Sequence, residues 1–113
     1  MTEKIKRIYI SAPITGMEDT AEQRFNAAAK LTKEEGFVPV NPYQENRSFC
    51  QWGDAIVAGL RLLRKCDCIL LCRGWQQSRG CRIEQQFAQG AGITALFEET
   101  LKCEERDKVI QED

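Results

Sequence analysis

The sequence predicts an α/β fold: a flavodoxin-like or Rossmann-like three-layer sandwich with a parallel sheet of about four to five strands between layers of helices. Two observations predict it. Short β-branched or apolar runs alternate with longer amphipathic stretches, which is the pattern of βαβ units. The run at 67–72, "DCILLC", is apolar at nearly every position, as parallel strands buried on both faces are.

The first part of the chain predicts a strand followed by a helix. Residues 6–11, "KRIYIS", are rich in β-branched and aromatic side chains, which favour a strand. Residues 18–36 carry apolar side chains near helical spacing and end at Gly36, a residue that commonly stops a helix.

A second strand, a polar loop and a second helix are predicted next. Residues 37–42, "FVPVNP", form a short apolar run that Asn41-Pro42 closes. Residues 43–52 are predicted to be a polar loop with aromatic side chains. Residues 53–66 have an apolar stripe at helical spacing, which predicts an amphipathic helix.

The last part of the chain predicts two more strands around a third helix. The strand at 67–72 leads into a loop, "GWQQSRG", and then into a helix at 81–92 that ends at glycines. A last strand is predicted at 93–99. With right-handed crossovers, the four strands take the order 2-1-3-4 with helices on both faces.

Length and charge indicate one small domain. The chain has 113 residues, 42% of them apolar, and a formal net charge of -1. We expect a domain over residues 1–99 and a charged tail over 100–113. The charge balance gives no reason to expect a nucleic acid polymer or a membrane as a partner. No signal peptide or membrane span is evident, so we expect a cytoplasmic protein.

The sequence has six cysteines and no histidine. No two cysteines have the CxxC spacing, so the common zinc patterns are missing. We interpret the cysteines as small apolar core residues, reduced and unlinked, and we expect neither a metal nor a cofactor. The alternative is a thiolate metal site or a redox switch.

Three predicted loops meet beyond the carboxyl ends of the strands, where open parallel sheets bind ligands. Two aromatic residues there could form a wall against a flat ring, although such residues more often cover the core. A serine and a glycine before the third helix suit a phosphate or hydroxyl group, although a serine in that place is often only an N-cap. The predicted binding residues are Ser11, Ile14, Gly16, Tyr43, Trp52, Ser78 and Gly80.

Glu84 follows Ser78 by six positions, near the second turn of the third helix. We expect Ile83 to face the core, and Arg82 and Gln85 to face water. Glu84 is then either a solvated glutamate that gains slightly from the helix dipole, or a carboxylate aimed into the cleft, close enough to attack a sugar carbon. Spacing alone does not decide between the two.

Three segments together resemble the nucleoside 2-deoxyribosyltransferase-like superfamily, particularly its small phage and bacterial members of unknown function. "IYISAPITGM" resembles the "YISGPITG" opening of these proteins, and "RFNAAAKLTKEEGFVPVNP" resembles the helix and strand that follow. "LLRKCDCILLCRGWQQSRGCRIEQQFAQGAGI" resembles their pattern CD-apolar-GW-x-x-S-x-G-x-x-x-E. The resemblance covers roughly residues 6–97.

The resemblance implies an active site. The glutamate that matches Glu84 is the nucleophile of this superfamily and attacks the anomeric carbon of a 2-deoxyribosyl group, which is retaining glycosyl chemistry. The serine that matches Ser78 helps to hold the 5′-phosphate in the nucleotide-hydrolysing branch, whereas an aspartate stands there in the transferring branch. Superfamily members commonly complete their sites across subunits, which implies a homodimer or a higher homo-oligomer.

The sequence departs from the superfamily pattern at Gly59. An aspartate is expected eight positions before Asp67, and Gly59 occupies that place, while Asp54 lies on a different face of the predicted helix. Ala12 also replaces the usual glycine of the first loop. A glycoside-cleaving site normally uses two carboxylates in different roles. If the local structure follows the superfamily, Gly59→Asp is expected to raise the rate.

Two functions from different classes remain at this point. The first is an N-glycosidase or deoxyribosyltransferase that acts on a 2′-deoxynucleoside or its 5′-monophosphate through a glutamate nucleophile. The second is a catalytically weak or inactive nucleotide-binding module, which the glycine at position 59 favours. A response-regulator or flavodoxin-like relative is the third possibility; the strand at 6–11 is followed neither by an acidic pair nor by a Ser/Thr-rich phosphate loop.

Overall fold

Four parallel strands form one sheet in the computed structural model, which describes residues 6–45 and 51–101. The strands are β1 (Arg7–Ser11), β2 (Val38–Val40), β3 (Cys68–Leu71) and β4 (Thr94–Phe97). Their order is β2-β1-β3-β4, and every neighbouring pair is parallel. The predicted α/β class and the predicted strand order are both confirmed.

Helices connect the strands, as the alternating pattern predicts. They are α1 (Glu18–Glu34), the one-turn α2 (Pro42–Glu45), α3 (Trp52–Leu63) and α4 (Arg79–Ala91). A short 3-10 turn, Trp75–Gln77, precedes α4. The third predicted helix begins two residues earlier than expected. The first turn of the predicted loop at 43–52 is helical because the Asn41 side chain accepts hydrogen bonds from the amides of Tyr43 and Gln44.

The alternation of side chains along β1 divides the core into two layers. Ile8 and Ile10 pack with Phe25 of α1 on one face of the sheet. Tyr9 points to the other face, where it packs with Leu63 of α3. Because side chains on a strand alternate with a period of two, Ser11 lies on the same face of β1 as Tyr9.

The sheet is buried in its centre and open at one edge. All four residues of β3 are buried, as the prediction of a strand covered on both faces requires. Three of the four residues of the edge strand β4 are exposed. Leu101, which falls within the predicted tail, is buried in the core cluster of Phe25. The rest of that tail, 102–113, lies outside the described residues.

The four described cysteines, Cys66, Cys68, Cys72 and Cys81, are all buried, which agrees with their interpretation as small core residues. No group of three or more cysteine, aspartate or glutamate side chains within 6–45 and 51–101 is arranged to hold a metal ion. In the same two segments, no helix is both long enough and apolar enough to cross a membrane.

Candidate active site

The side chain of Glu84 receives two hydrogen bonds from the strand that it faces. The Tyr9 hydroxyl donates to Glu84 Oε2 at 2.5 Å, and the Ser11 hydroxyl donates to Glu84 Oε1 at 2.7 Å. Each carboxylate oxygen therefore has one fixed donor, and the carboxylate plane is held in one orientation. Hydroxyl-to-carboxylate bonds of this length are of the strong, charge-assisted kind.

Two periodicities bring these three residues together. Tyr9 and Ser11 lie two apart on β1, so they point to the same face of the sheet. Cys81, Glu84 and Ala88 are the buried residues of α4, and their spacing of three and four places them on one stripe of the helix. Glu84 therefore lies on the stripe of α4 that packs on the sheet, whereas Ile83, which was expected to face the core, is only half-buried.

Burial changes the acidity of Glu84. The side chain is 9% exposed, and the loss of solvent raises the pKa of its carboxyl group from 4.5 to about 6, while the hydrogen bonds from Tyr9 and Ser11 lower it. Desolvation is the largest effect because it penalises the charged form. At neutral pH the group is therefore mostly an anion, but a less stable one than a glutamate in water.

The neighbouring ionisable groups stay protonated. Burial, followed by the nearby Glu84 charge, raises the pKa of Tyr9 well above 10.0, so the phenol remains a hydrogen-bond donor. Burial also raises the pKa of the Cys81 thiol above 9.0. Of these three side chains, Glu84 alone carries a charge at neutral pH.

A cavity of about 860 Å³ opens above this carboxylate. Its volume is in the range of small-molecule binding sites. The loop after β1 forms one side, the start of α3 forms the second and the start of α4 forms the third. Its lining residues include Ile14, Tyr43, Trp52, Ser78, Arg79, Gly80 and Glu84.

Most of the predicted binding residues reach this cavity. Ile14, Tyr43, Trp52, Ser78 and Gly80 line it together with Glu84. Tyr43 also stacks on Phe25, with ring centroids 5.4 Å apart, so it both covers the core and faces the cavity.

Two predicted binding residues do not line the cavity. Ser11 is 1% exposed and lies behind the carboxylate, where it holds Glu84 instead of meeting a ligand. Gly16 is exposed, has a φ of +83° and donates its amide to Glu18 Oε2 at 3.1 Å. Its role in the structure is to turn the chain into α1, because a residue with a Cβ rarely adopts that φ.

Arg24 of α1 fixes the loop after β1. Its Nη2 donates to the carbonyl oxygen of Pro13 at 2.5 Å and to that of Met17 at 3.4 Å. Pro13 and Met17 both line the cavity. This side of the cavity is thus held to α1 by the Arg24 guanidinium, a contact that no pattern in the sequence predicted.

Ser78 and Gly80 both have structural roles. The Ser78 hydroxyl accepts a hydrogen bond from the Cys81 amide at 3.3 Å, so it is the N-cap of α4 as well as a cavity residue. A Cβ at Gly80 would lie 3.1 Å from the Ile56 side chain. The glycine therefore allows α3 and α4 to approach each other closely beside the site.

The place of the missing aspartate is filled by Tyr9. A Cβ at Gly59 would lie 2.6 Å from the Tyr9 hydroxyl and 3.1 Å from Glu84 Oε2. Position 59 therefore faces the carboxylate, as the superfamily spacing implies, but the phenol occupies the space that a side chain would need. Asp54, the other candidate on this helix, is exposed and is not among the residues that line the cavity.

Tyr9 and Arg79 are further residues of this site that were not predicted from the sequence. Tyr9 was read only as a strand-forming aromatic residue, although its parity with Ser11 places it on the same face. Arg79 lines the cavity, and its guanidinium carbon lies 4.7 Å from the centre of the Trp52 ring. Its position directly after Ser78 was the available signal.

The structure thus combines a parallel α/β sheet with a cavity over a buried, doubly hydrogen-bonded carboxylate, and cavities of this kind are where α/β proteins commonly bind small molecules. The family model described as Domain of unknown function (DUF4406) matches residues 6–97. The chain belongs to that family. No curated protein sequence matches this chain.

Solved structures share the fold. A 2-deoxyribosyltransferase from Leishmania mexicana has a TM-score of 0.63 and 26% identity, over 81% of this chain and 63% of its own. A CMP N-glycosidase from Clostridium botulinum has a TM-score of 0.58 and 20% identity, over 81% of this chain and 67% of its own. The fold is therefore that of the nucleoside 2-deoxyribosyltransferase-like superfamily. The chain spans less than two thirds of the length of the Leishmania mexicana protein.

Proposed function

We propose that this protein cleaves the N-glycosidic bond of a 2′-deoxynucleoside or its 5′-monophosphate, with Glu84 as the nucleophile. The observation that carries the proposal is the Glu84 carboxylate, which faces a cavity of about 860 Å³ and is held by Tyr9 and Ser11. A carboxylate fixed in one orientation and poorly solvated is suited to attack a sugar carbon.

The first step is a displacement at the anomeric carbon. A Glu84 oxygen forms a bond to C1′, and the bond from C1′ to the base nitrogen breaks. The electron pair of that bond stays on the base, which takes a proton from water. The product is a deoxyribosyl ester of Glu84, and the transition state resembles an oxocarbenium ion.

The second step releases the sugar. Water, or the nitrogen of a second base, attacks C1′ from the face that the first base left, and the ester oxygen returns to Glu84 as a carboxylate. Water gives hydrolysis, and a second base gives transfer. The attacking group loses a proton to the solvent, so the ionised enzyme is regenerated.

Tyr9 and Ser11 have a positioning role in this scheme. They donate to the carboxylate and so keep it ionised near neutral pH in spite of its burial. They also prevent rotation of the carboxylate during attack. Neither residue needs to titrate, because the pKa of Tyr9 is raised well above 10.0.

The described wall of the cavity provides no second carboxylate as an acid for the departing base. Glu84 is the only carboxylate among the described residues that line it. The second carboxylate of most glycoside-cleaving sites thus has no counterpart in the described part of the wall. We propose that the base is protonated from solvent, which makes turnover slow for a basic leaving group.

The similar structures support the chemistry that we propose, since one is a 2-deoxyribosyltransferase and the other a CMP N-glycosidase. By their names, the first transfers a 2-deoxyribosyl group and the second cleaves an N-glycosidic bond of the nucleotide CMP. They differ between transfer and hydrolysis, and our proposal extends to both outcomes.

A second candidate function is a nucleotide-binding module without turnover. The single carboxylate in the described cavity wall and the glycine at position 59 favour it. Such a module would bind nucleosides or nucleotides, and its melting temperature would rise with ligand concentration by mass action, but it would release no base.

One experiment separates the two candidates. The protein is incubated with 2′-deoxynucleosides and their 5′-monophosphates, and the released base is followed by chromatography. We expect slow base release that Glu84→Gln abolishes, with ligand affinity unchanged within about tenfold. Ligand-dependent stabilisation without base release would favour the binding module. If the protein shows neither stabilisation nor base release, both candidates are excluded.

We further propose that the protein is a homodimer or a higher homo-oligomer. Supporting this, α3 is an apolar helix that leaves Val57 50% exposed, and a second copy could cover that side of the helix. Light scattering after size exclusion is expected to give at least twice the monomer mass. Val57→Glu is expected to lower it, and a monomer mass for the wild type would contradict this proposal.

A further inference from the structure

Charge is distributed unevenly in the cavity. Among the described residues that line it, Glu84 is the only acidic side chain and Arg79 is the only basic one. Both belong to α4, five positions apart, which corresponds to roughly 7.5 Å along the helix axis. Arg79 is exposed, whereas Glu84 is buried. The cavity thus has a negative group at its floor and a positive group at its rim.

The Arg79 guanidinium lies over an aromatic ring. Its central carbon lies 4.7 Å from the centre of the Trp52 ring, a distance typical of a cation–π contact. Within 6–45 and 51–101, the one salt bridge joins Arg73 to Glu99, and no carboxylate pairs with Arg79. A guanidinium that lies over a ring and has no carboxylate partner keeps N–H donors available for an anion.

We infer that Arg79, supported by Trp52, binds the 5′-phosphate of the substrate, so that the preferred substrates are nucleoside 5′-monophosphates and not free nucleosides. The inference rests on the proposed function for the identity of the ligand class. The exposed ring of Trp52 is explained in the same way, because it keeps the cation at the rim.

The same two charges orient the substrate. A phosphate placed near Glu84 would meet a carboxylate and lose its solvent, which is unfavourable on both counts. A phosphate at the rim meets Arg79 in a charge-assisted, bidentate arrangement. With the phosphate at the rim, the sugar extends toward the floor and brings its anomeric carbon to the carboxylate. A nucleoside lacks this anchor and gains nothing from Arg79.

The experiment compares Arg79→Gln with Arg82→Gln as a matched control. Arg82 is an exposed arginine one turn further along α4 that does not line the cavity, so its loss changes net charge equally. Affinities for the four common 2′-deoxynucleoside 5′-monophosphates and the matching nucleosides are measured by calorimetry and thermal shift. These readouts do not depend on turnover.

We expect Arg79→Gln to weaken the binding of the monophosphates by about 10- to 100-fold and that of the nucleosides by less than about twofold. Arg82→Gln should change neither by more than about twofold. Wild-type affinity for the monophosphates should fall with added salt, and that of Arg79→Gln should fall less. Trp52→Leu should weaken the monophosphates selectively, and Trp52→Phe should restore most of the loss.

The outcomes separate this inference from the proposed function. Equal losses for nucleosides and monophosphates in Arg79→Gln, or no loss for either, would overturn the inference even if base is released. A selective loss without any base release would support the inference and contradict the enzyme proposal. A wild-type protein that no monophosphate stabilises would overturn the inference.

Discussion

Tyr9 and Gly59 fit together beside the nucleophile that we propose. A Cβ at position 59 would lie 2.6 Å from the Tyr9 hydroxyl, which is closer than non-bonded atoms approach. Tyr9 is fully buried and hydrogen-bonded to Glu84, so a shift of its hydroxyl away from position 59 would disturb that hydrogen bond. The tyrosine therefore requires glycine at position 59, and the glycine reflects this packing, not a simple loss of the expected aspartate.

The consequence for Gly59→Asp is the opposite of the sequence expectation. The sequence alone predicts that this substitution raises the rate. The structure predicts that it displaces Tyr9, places a second carboxylate beside Glu84 and lowers both stability and activity. We expect a loss of about 1–3 kcal/mol in the free energy of unfolding, measured by urea denaturation. Gly53→Ala is the control, because it lies on the same helix and a Cβ there meets nothing within 4 Å.

A double-mutant cycle tests whether Tyr9 is the cause. Gly59→Ala should destabilise the wild type by about 1–3 kcal/mol. In the Tyr9→Phe background it should cost less, because the hydroxyl is absent and the nearest remaining ring atom is Cζ, 3.8 Å away. An equal cost of Gly59→Ala in both backgrounds would show that another contact determines position 59.

The pH dependence of base release should follow Glu84. With a pKa of about 6, kcat/KM is expected to rise with pH through that value, since the anion is the nucleophile. Tyr9→Phe and Ser11→Ala each remove a hydrogen bond that lowers this pKa, so the rise should move to higher pH in both variants. Initial rates from pH 4.5 to 8 measure the shift, and an unmoved profile in both variants would assign the titration to another group.

Glu84 should reduce stability at neutral pH. Its pKa is raised from 4.5 to about 6 on folding, so the folded state binds the proton more tightly. Its contribution to stability is fully present below pH 4.5 and is lost as pH rises through about 6. We expect the free energy of unfolding of Glu84→Gln, measured by urea denaturation at pH 8, to exceed that of the wild type by up to about 2 kcal/mol. This difference should shrink below pH 5. A constant difference between pH 5 and pH 8 would contradict this.

The basicity of the leaving group should control the first step. Because no second carboxylate was found in the described cavity wall, the base must leave with little help. Deoxyribosides with weakly basic leaving groups, such as 4-nitrophenyl 2-deoxyriboside, should show kcat/KM about 100-fold or more above those of natural nucleosides. A plot of log kcat/KM against leaving-group pKa measures this. A flat plot would reveal an acid outside the described wall.

The sheet could be predicted from the sequence because its signals are local and strong. The apolar run over 67–72 and the alternation of strands with helices fix a parallel sheet, and the handedness of crossovers fixes the strand order. The helix ends were less predictable: α4 begins at Arg79 because Ser78 accepts a hydrogen bond from Cys81, a detail of side-chain geometry.

The site was only partly predictable because some of its contacts join residues that are far apart in the sequence. Ser78, Gly80 and Glu84 lie on one segment of the chain, so a pattern in the sequence can represent them. The contact between Tyr9 and Gly59 joins positions fifty residues apart in the printed sequence, and no local pattern represents it. Gly16 matched the loop pattern, yet it turns the chain beside the site and does not line the cavity.

In the reaction that we propose, Glu84 forms a covalent bond to the sugar. The most direct test is mass spectrometry of protein quenched in acid during slow turnover of a 2′-deoxynucleoside 5′-monophosphate, followed by peptide mapping. The peptide containing Glu84 is expected to gain the mass of a deoxyribosyl phosphate without its base, and Glu84→Gln is expected to show neither the adduct nor base release. Base release that continues undiminished in Glu84→Gln, with no adduct on the wild-type peptide, would contradict it.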